Sequence, residues 1–357
     1  MSTLGAGSRA TGATPIKDVL PQLREGRIVV VVDHQRELGG VTVAADRVTP
    51  ASITFMTRQA GSWLCLALTG QRCEELGVRS LRPGSSGREL GLLQPVDAAA
   101  GVRSGMSAED RVHTIQVAVS RDSSPKDLVA HGHVQLFRTH RTGVVGRPGL
   151  AEAGVELARL AGCAPAAVVC DLQTAHGAAA SLEAIARFSS AHALPMVEMK
   201  DLIAYTQLHG RVVEPLVSVD LPTPAIRFLA TAYIAEGDDA NHLALVNGEL
   251  DTGIVGVHIH VRCPGDIFHS HTCNCRLELE AALEEIARRG RGVVVYLSSE
   301  GGELDLRSDH GLPVDGSCDG LAAAILSNLG VNSIELFNKD ERLRARLADY
   351  GLSVAPT

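Results

Sequence analysis

Aromatic side chains are scarce: six Phe, four Tyr and one Trp make up 3% of 357 residues, so Val, Ala and Leu must fill the cores. Clusters of basic residues are missing as well. With 33 Lys and Arg against 41 Asp and Glu, the formal net charge is −8, which argues against general nucleic-acid binding. Phosphorylated small molecules stay within reach, because local Arg and His can bind them on an acidic protein. The longest apolar runs, such as Gly292–Leu297, are the size of a strand and far short of a membrane-spanning helix. The opening MSTLGAGSRATGATP has no apolar core segment, so a secretion signal is not expected there. Eight cysteines are too thinly spread for a disulfide scaffold and point to a reducing cytoplasm.

Three of those cysteines are concentrated. Cys263, Cys273 and Cys275 fall within the thirteen residues CPGDIFHSHTCNC, the last two as Cys-x-Cys opening a helix. Thiolates are soft, tight zinc ligands, and three protein ligands with one open position describe a catalytic rather than a structural zinc. The following RLELEAALEEIARRG (276–290) has apolar residues at helical spacing, and its N-terminal dipole favours thiolates. His269 and His271 lie in the same run; a fourth ligand from either closes the site and favours a structural role. His258 and His260 alternate with apolar residues, placing both on one face of a strand beside Cys263. Asp309, His310 and Asp315 form a loop cluster that offers an acid or base. Cys318 reads as a helix-start or core residue. The glycines of RRGRGV and GGELDL lack phosphate-loop spacing.

The hydrophobic pattern gives an α/β (α+β) chain of two domains with mixed sheets. Residues 1–15 are expected to be a disordered tail, 16–209 a first domain and 216–357 a second, with a boundary in Gly210–Pro224. RIVVVVD reads as a buried strand, DHQRELGG as a loop and VTVAA as the next strand. TPASITFMTRQA reads as a helix capped by Thr49 with Pro50 in its first turn, and SAEDRVHTIQVAVS as one started by Ser107.

The order of these pieces resembles the fused 3,4-dihydroxy-2-butanone-4-phosphate synthase and GTP cyclohydrolase II family of riboflavin biosynthesis, over about residues 16–355. In the first half the likeness rests on VVVVDHQREL, SWLCLALTG, SGMSAEDR, AHGHVQLF, AGVELARLAGCAPAAVVCDL and KDLIAYT. In the second it rests on HLALVNGEL, HIHVRCPGDIFHSHTCNC, GRGVVVYLSSEGG, AILSNLGV and DYGLSV. The resemblance implies a synthase-like domain followed by a cyclohydrolase-like zinc domain, a small-molecule substrate, no membrane or nucleic-acid partner, and a homodimer.

For the first half the resemblance implies magnesium held by a Glu and a His, acting on ribulose 5-phosphate with loss of formate. The family's Arg-Glu pair is Arg36 and Glu37, so Glu37 is the candidate magnesium ligand. The next acids of that loop fall on Gly39 and Val41, and the family's metal-binding His falls on Leu150, so the magnesium pair cannot form as in the family. Cys65, Ser104, His133, Arg147 and Glu152 stand at matching positions, and Asp171 shortens the acid after the Val-x-Cys strand. Ser104 and Arg147 are candidates for holding a phosphate.

For the second half the resemblance implies zinc on Cys263, Cys273 and Cys275, with Glu300 pairing with the substrate ring. Several phosphate-binding positions differ: the family's leading Arg falls on His258, another on Gly302, and the Asp-x-Arg pair on Asp315 and Ser317. The segment LDLRSDHGLPVDG offers no tyrosine, and NKDER puts acids where a triphosphate would lie. The expectation is therefore a zinc-dependent hydrolase or ring-opening enzyme on a changed substrate, in specialised metabolism, with the first-half synthase activity lost. Asp315, His260 and Glu300 are its candidate catalytic residues. The alternatives are GTP cyclohydrolase II-type activity and a non-catalytic partner of riboflavin enzymes.

Overall fold

The computed structural model describes residues 12–61, 63–81, 91–174, 176–209, 213–224, 226–235, 240–250, 253–262, 274–298 and 317–356. The chain divides into two compact units, changing from one to the other at Tyr205–Thr206; the short segment Val145–Arg147 groups with the second.

The first unit is built on strands β1 (Val29–Asp33), β2 (Leu38–Ala44), β3 (Leu64–Leu68), β4 (Gly91–Leu92), β7 (Gln135–Arg138), β8 (Ala166–Asp171) and β9 (Met196–Glu198), with β5 (Val96–Ala98) and β6 (Leu128–Ala130) as a separate ribbon. The sheet order is β4-β7-β3-β8-β2-β1-β9. It is mixed: β1 runs antiparallel to β2 and parallel to β9, and β3 runs antiparallel to β8 and parallel to β7. Val29, Val30, Val31 and Val32 are all buried, because both faces of β1 are covered. The second unit has β10 (Val213–Pro222), β11 (Arg227–Ala235), β12 (Asn241–Asn247), β13 (Val255–Val261), β14 (Gly292–Leu297), β15 (Ser333–Leu336) and β16 (Ser353–Val354), in the order β10-β11-β12-β14-β13-β15-β16. Here β10 to β12 pair antiparallel, while β13 lies parallel to both β14 and β15.

Local signals account for the helix ends. Thr49 and Ser52 close a capping box over Pro50, and Ser107 accepts the Asp110 N–H at the start of Ala108–Val119. The helix Cys275–Arg289 stops at Gly290, whose φ of 68° suits a left-handed cap. Two segments differ from the pattern reading. The segment expected as a loop, DHQRELGG, is a tight hairpin in which Leu38 already pairs with Asp33 and Gly39 with Val32. The Asp33 carboxylate drives the reversal by accepting the Gln35 and Arg36 N–H groups. Much of the expected boundary is β10, a ten-residue edge strand with a bulge between Pro215 and Val217. Its two prolines suit an edge, where a missing N–H costs no ladder bond.

The helix Leu150–Leu160 lies against the β2–β8 face with little clearance. A Cβ on Gly154 would come within 2.6 Å of Thr42 Oγ1 and 2.9 Å of Ala167 Cβ. Gly154→Val is expected to destabilise the first unit by about 1–3 kcal/mol, the usual cost of overpacking. Unfolding followed by the single Trp63 would measure it, and an unchanged midpoint would show that the helix is not seated this closely.

Candidate functional site

The Arg36–Glu37 hairpin is held from both sides. Arg36 donates to the Pro148 carbonyl and lies 3.8 Å from the Asp33 carboxylate. Glu37 sits at φ 53°, a conformation rare for a side-chain-bearing residue, and is exposed. Beside this hairpin, Gly40 pairs with Asp171 across β2 and β8. Leu150 closes over that point: a Cβ on Gly40 would lie 2.2 Å from Leu150 Cδ2. Cys65, Phe137 and Leu150 pack against a small apolar cluster that includes Ala151, Val155 and Val169. The Cys65 thiol is pushed up to about 12 by burial and by the neighbouring Asp171 charge, so it is a thiol and not a ready nucleophile. Burial also raises the Asp171 carboxyl above its usual range.

Magnesium asks for about six oxygen or similarly hard ligands in near-octahedral array. Among the described residues no three His, Cys, Asp or Glu side chains gather in a metal-holding group. All the first-unit positions that the resemblance implies are described, and at the position where it places the imidazole Leu150 turns a methyl towards Gly40. This donor set does not fit a magnesium pair. Glu152, two residues further along, is buried and accepts the His140 backbone N–H at 3.1 Å, a structural task.

Ser104 and His133 come together through two carboxylates that pattern reading passed over. Asp110 accepts the backbone N–H groups of Ser104 and Gly105, each at 3.0 Å, and of Arg103 at 3.2 Å. Those donors, Ser104 first, hold its carboxyl below the usual range. Asp97 on β5 accepts the His133 backbone N–H at 2.9 Å and meets His133 Nδ1 at 2.8 Å. The signal for Asp110 was available as Ser107-x-x-Asp110, a capping pattern; Asp97 carried none beyond being an acid inside a strand. Arg147 lies in the segment that groups with the second unit.

In the second unit Cys275 is the first residue of its helix, and Asn274 makes no side-chain cap bond there. Cys275 is not in a disulfide. A cysteine at a helix N-terminus suits a thiolate ligand, so the described part of the donor set fits zinc. Cys263, Cys273, His269, His271, Glu300, Asp309, His310 and Asp315 lie outside the described residues. His258 and His260 are both buried on one face of β13, their rings 5.9 Å apart. The His260 ring stacks on Tyr296 at 5.2 Å, and His258 Nε2 is buried with no hydrogen-bond partner. Burial first, and the neighbouring His260 second, depress His258 to about 4.

Two family models match the chain: 3,4-dihydroxy-2-butanone 4-phosphate synthase over residues 17–205 and GTP cyclohydrolase II over 214–357. The riboflavin biosynthesis protein RibBA of Salinispora arenicola (strain CNS-205) is 35% identical over 365 residues, covering 95% of this chain and 87% of that protein. RibBA of Aquifex aeolicus (strain VF5) is 34% identical, covering 95% and 90%. Among solved structures, RibBX, a two-domain 3,4-dihydroxy-2-butanone 4-phosphate synthase from A. baumannii, aligns with a TM-score of 0.72 at 29% identity, over 96% of this chain and all of that one. A 3,4-dihydroxy-2-butanone 4-phosphate synthase in complex with two magnesium ions aligns with a TM-score of 0.50 at 29% identity, over 56% of this chain and 99% of that one.

The buried neutral His258 makes the second unit acid-sensitive. The unfolded chain takes up this proton below about pH 6.5 and the folded chain only near about pH 4. Its stabilising contribution is therefore complete above about pH 6.5 and is lost as the pH falls towards about 4. Between about pH 7 and pH 5 the loss amounts to about 2 kcal/mol. Calorimetry of His258→Leu should show a correspondingly smaller acid-induced loss than the unaltered protein, and equal losses would refute the assignment.

Proposed function

The chain belongs to the fused 3,4-dihydroxy-2-butanone 4-phosphate synthase and GTP cyclohydrolase II family of riboflavin biosynthesis proteins, and from that premise we propose a zinc-dependent hydrolase of changed substrate whose first unit has lost the magnesium-dependent synthase reaction. The observation that carries this reading is the contrast between two donor sets. The thiol set Cys263, Cys273 and Cys275 is complete in the sequence. The oxygen and imidazole set of the first unit is broken at Leu150, whose side chain sits over Gly40.

Cys263, Cys273 and Cys275 would hold the zinc, which when bound supplies Lewis-acid activation of water near neutral pH. Glu300 orients the substrate ring through its carboxylate, and Asp315 or His260 moves the proton. The substrate is a cyclic amidine or imidazole-like compound with fewer phosphates than GTP. Each charge-assisted hydrogen bond contributes about 1.5–3 kcal/mol, and about 1.4 kcal/mol is a factor of ten in binding. Replacing arginines by His258, Gly302 and Ser317 therefore weakens a triphosphate by orders of magnitude. In the first unit Arg36, Cys65, Ser104, His133 and Asp171, with Arg147, remain as positions for a small phosphorylated molecule. The working form in this reading is a cytoplasmic homodimer.

GTP cyclohydrolase II-type activity is the second reading, favoured by 35% identity to RibBA across 95% of the chain. One preparation separates the two. Zinc is quantified by elemental analysis, and the same protein is incubated with GTP while nucleotide loss and formate are followed by mass spectrometry. About one zinc per chain, lost in Cys275→Ser, with GTP intact is the expected result. Opening of GTP would establish the second reading, and absence of zinc would remove the zinc-enzyme reading.

A further inference from the structure

The edge strand β10 leaves its outer side bare. Among the described residues no strand pairs with its free edge, and every residue from Glu214 to Pro222 is exposed. Twelve large apolar side chains are exposed among the described residues, and five of them fall on the β10–β11 hairpin: Leu216, Val217, Val219, Leu221 and Leu229, 38–57% open to solvent. Apolar surface gathered in this way marks a place of contact. Pairing with β11 sets Val217 opposite Ala232, Val219 opposite Ala230 and Leu221 opposite Phe228. Phe228 and Ala230 belong to the core formed with Leu245, Ile286 and Val294. The three β10 side chains therefore prolong that core face past the last strand that is covered.

The backbone sets the register that a partner strand must take. At the hairpin turn Thr223 N–H bonds the Ile226 carbonyl at 3.0 Å, and alternation along the ladder then turns the N–H and C=O of Ser218 and Asp220 outward. Ser218 Oγ and Thr231 Oγ1 lie 2.9 Å apart, the closeness of side chains in a pair whose backbone bonds point elsewhere. Pro222, next in the outward set, has no N–H, and the bulge between Pro215 and Val217 ends the regular ladder on the other side. Edge defences thus stand at the two ends of β10 and leave its middle open. A second β10, run antiparallel about a two-fold axis at Val219, fits that opening: Ser218 faces Asp220 of the other copy, a hydroxyl against a carboxylate. Val219 then meets Val219 and Val217 meets Leu221, which joins the two apolar stripes. Moving the axis to Asp220 would set like charges opposite one another, and moving it to Ser218 would run the ladder into the bulge at Leu216. We propose that β10 pairs with β10 of a second copy of this chain, antiparallel about Val219, making one sheet continuous across the dimer. This gives the homodimer of the proposed function a contact surface and rests on that part of the reading alone.

Cysteine placed on the axis tests the register in the full chain. Opposed residues of an antiparallel pair without mutual backbone bonds have Cα atoms about 4.5 Å apart, within disulfide reach. Val219→Cys should therefore give, under mild oxidation, a reductant-sensitive dimer on a denaturing gel. Val217→Cys should not, because its counterpart is displaced along the other strand by more than about 10 Å. The unaltered protein, with eight cysteines of its own, sets the background. Sedimentation velocity over a range of concentrations reads association separately. Val219→Asp should weaken it by about tenfold or more, with circular dichroism showing that the variant is folded. Hydrogen exchange should protect the Ser218 and Asp220 amides increasingly as the concentration rises. No cross-link above background in Val219→Cys, or unchanged association of folded Val219→Asp, overturns the β10 contact; a dimer that persists in either case keeps the homodimer and discards this surface. A chain monomeric at every concentration overturns both. Protection of those amides in a monomer would show another segment of this chain lying on the strand, and overturns the contact between copies.

Discussion

The seating of the helix Leu150–Leu160 on β2 and β8 is the constraint from which the first unit's chemistry follows. Glycine at 154 lets the helix backbone approach Thr42, Ala167 and Val169, and glycine at 40 receives its first side chain. Whatever residue stands at 150 is therefore delivered to the sheet end beside Asp171 and the Arg36–Glu37 hairpin. A histidine delivered there could face a metal; a leucine seals the spot with a methyl and joins the Cys65 and Val169 cluster. The residue at 150 matters because glycine at 40 and 154 brings the helix this close to the sheet.

The same economy of space acts on the opposite side of β3. Asp110 gathers three successive backbone N–H groups, which fixes the Arg103–Gly105 loop, and the loop in turn confines the Asp97–His133 contact. Leucine at position 150 therefore stands beside an intact polar cluster. The two rest on separate sets of hydrogen bonds within one unit. In the second unit the polar groups at the end of β13 behave differently: His258 is enclosed without a partner for Nε2, and His260 lies flat on Tyr296. An imidazole that stacks on an aromatic ring is well placed in orientation, which is what a proton-moving group requires.

Much of this was legible in the sequence where a local pattern carried the physics. Thr49–Pro50, Ser107 and Gly290 mark helix ends by capping chemistry, and the valine run of β1 marks a strand covered on both faces. Leu150 was legible only against the family's motif, since nothing intrinsic to a leucine announces a missing ligand. The reversal at Asp33–Leu38 was hidden because its cause is a carboxylate bonding to backbone two and three residues on. Asp97 was hidden for a deeper reason. Its partner is 36 residues away, and the contact exists only because Gly105 and Gly132 permit it, so no window along the chain contains the interaction.

The scaffold is that of a two-part family, and the proposed loss of the first unit's metal set is the part most open to a direct test. The full chain, supplied with excess magnesium and ribulose 5-phosphate, would be followed for formate by proton NMR. No formate above the protein-free control is the result this account requires. Steady formate release that depends on both magnesium and Glu37 would contradict it, because a metal centre would then be working where Leu150 excludes one.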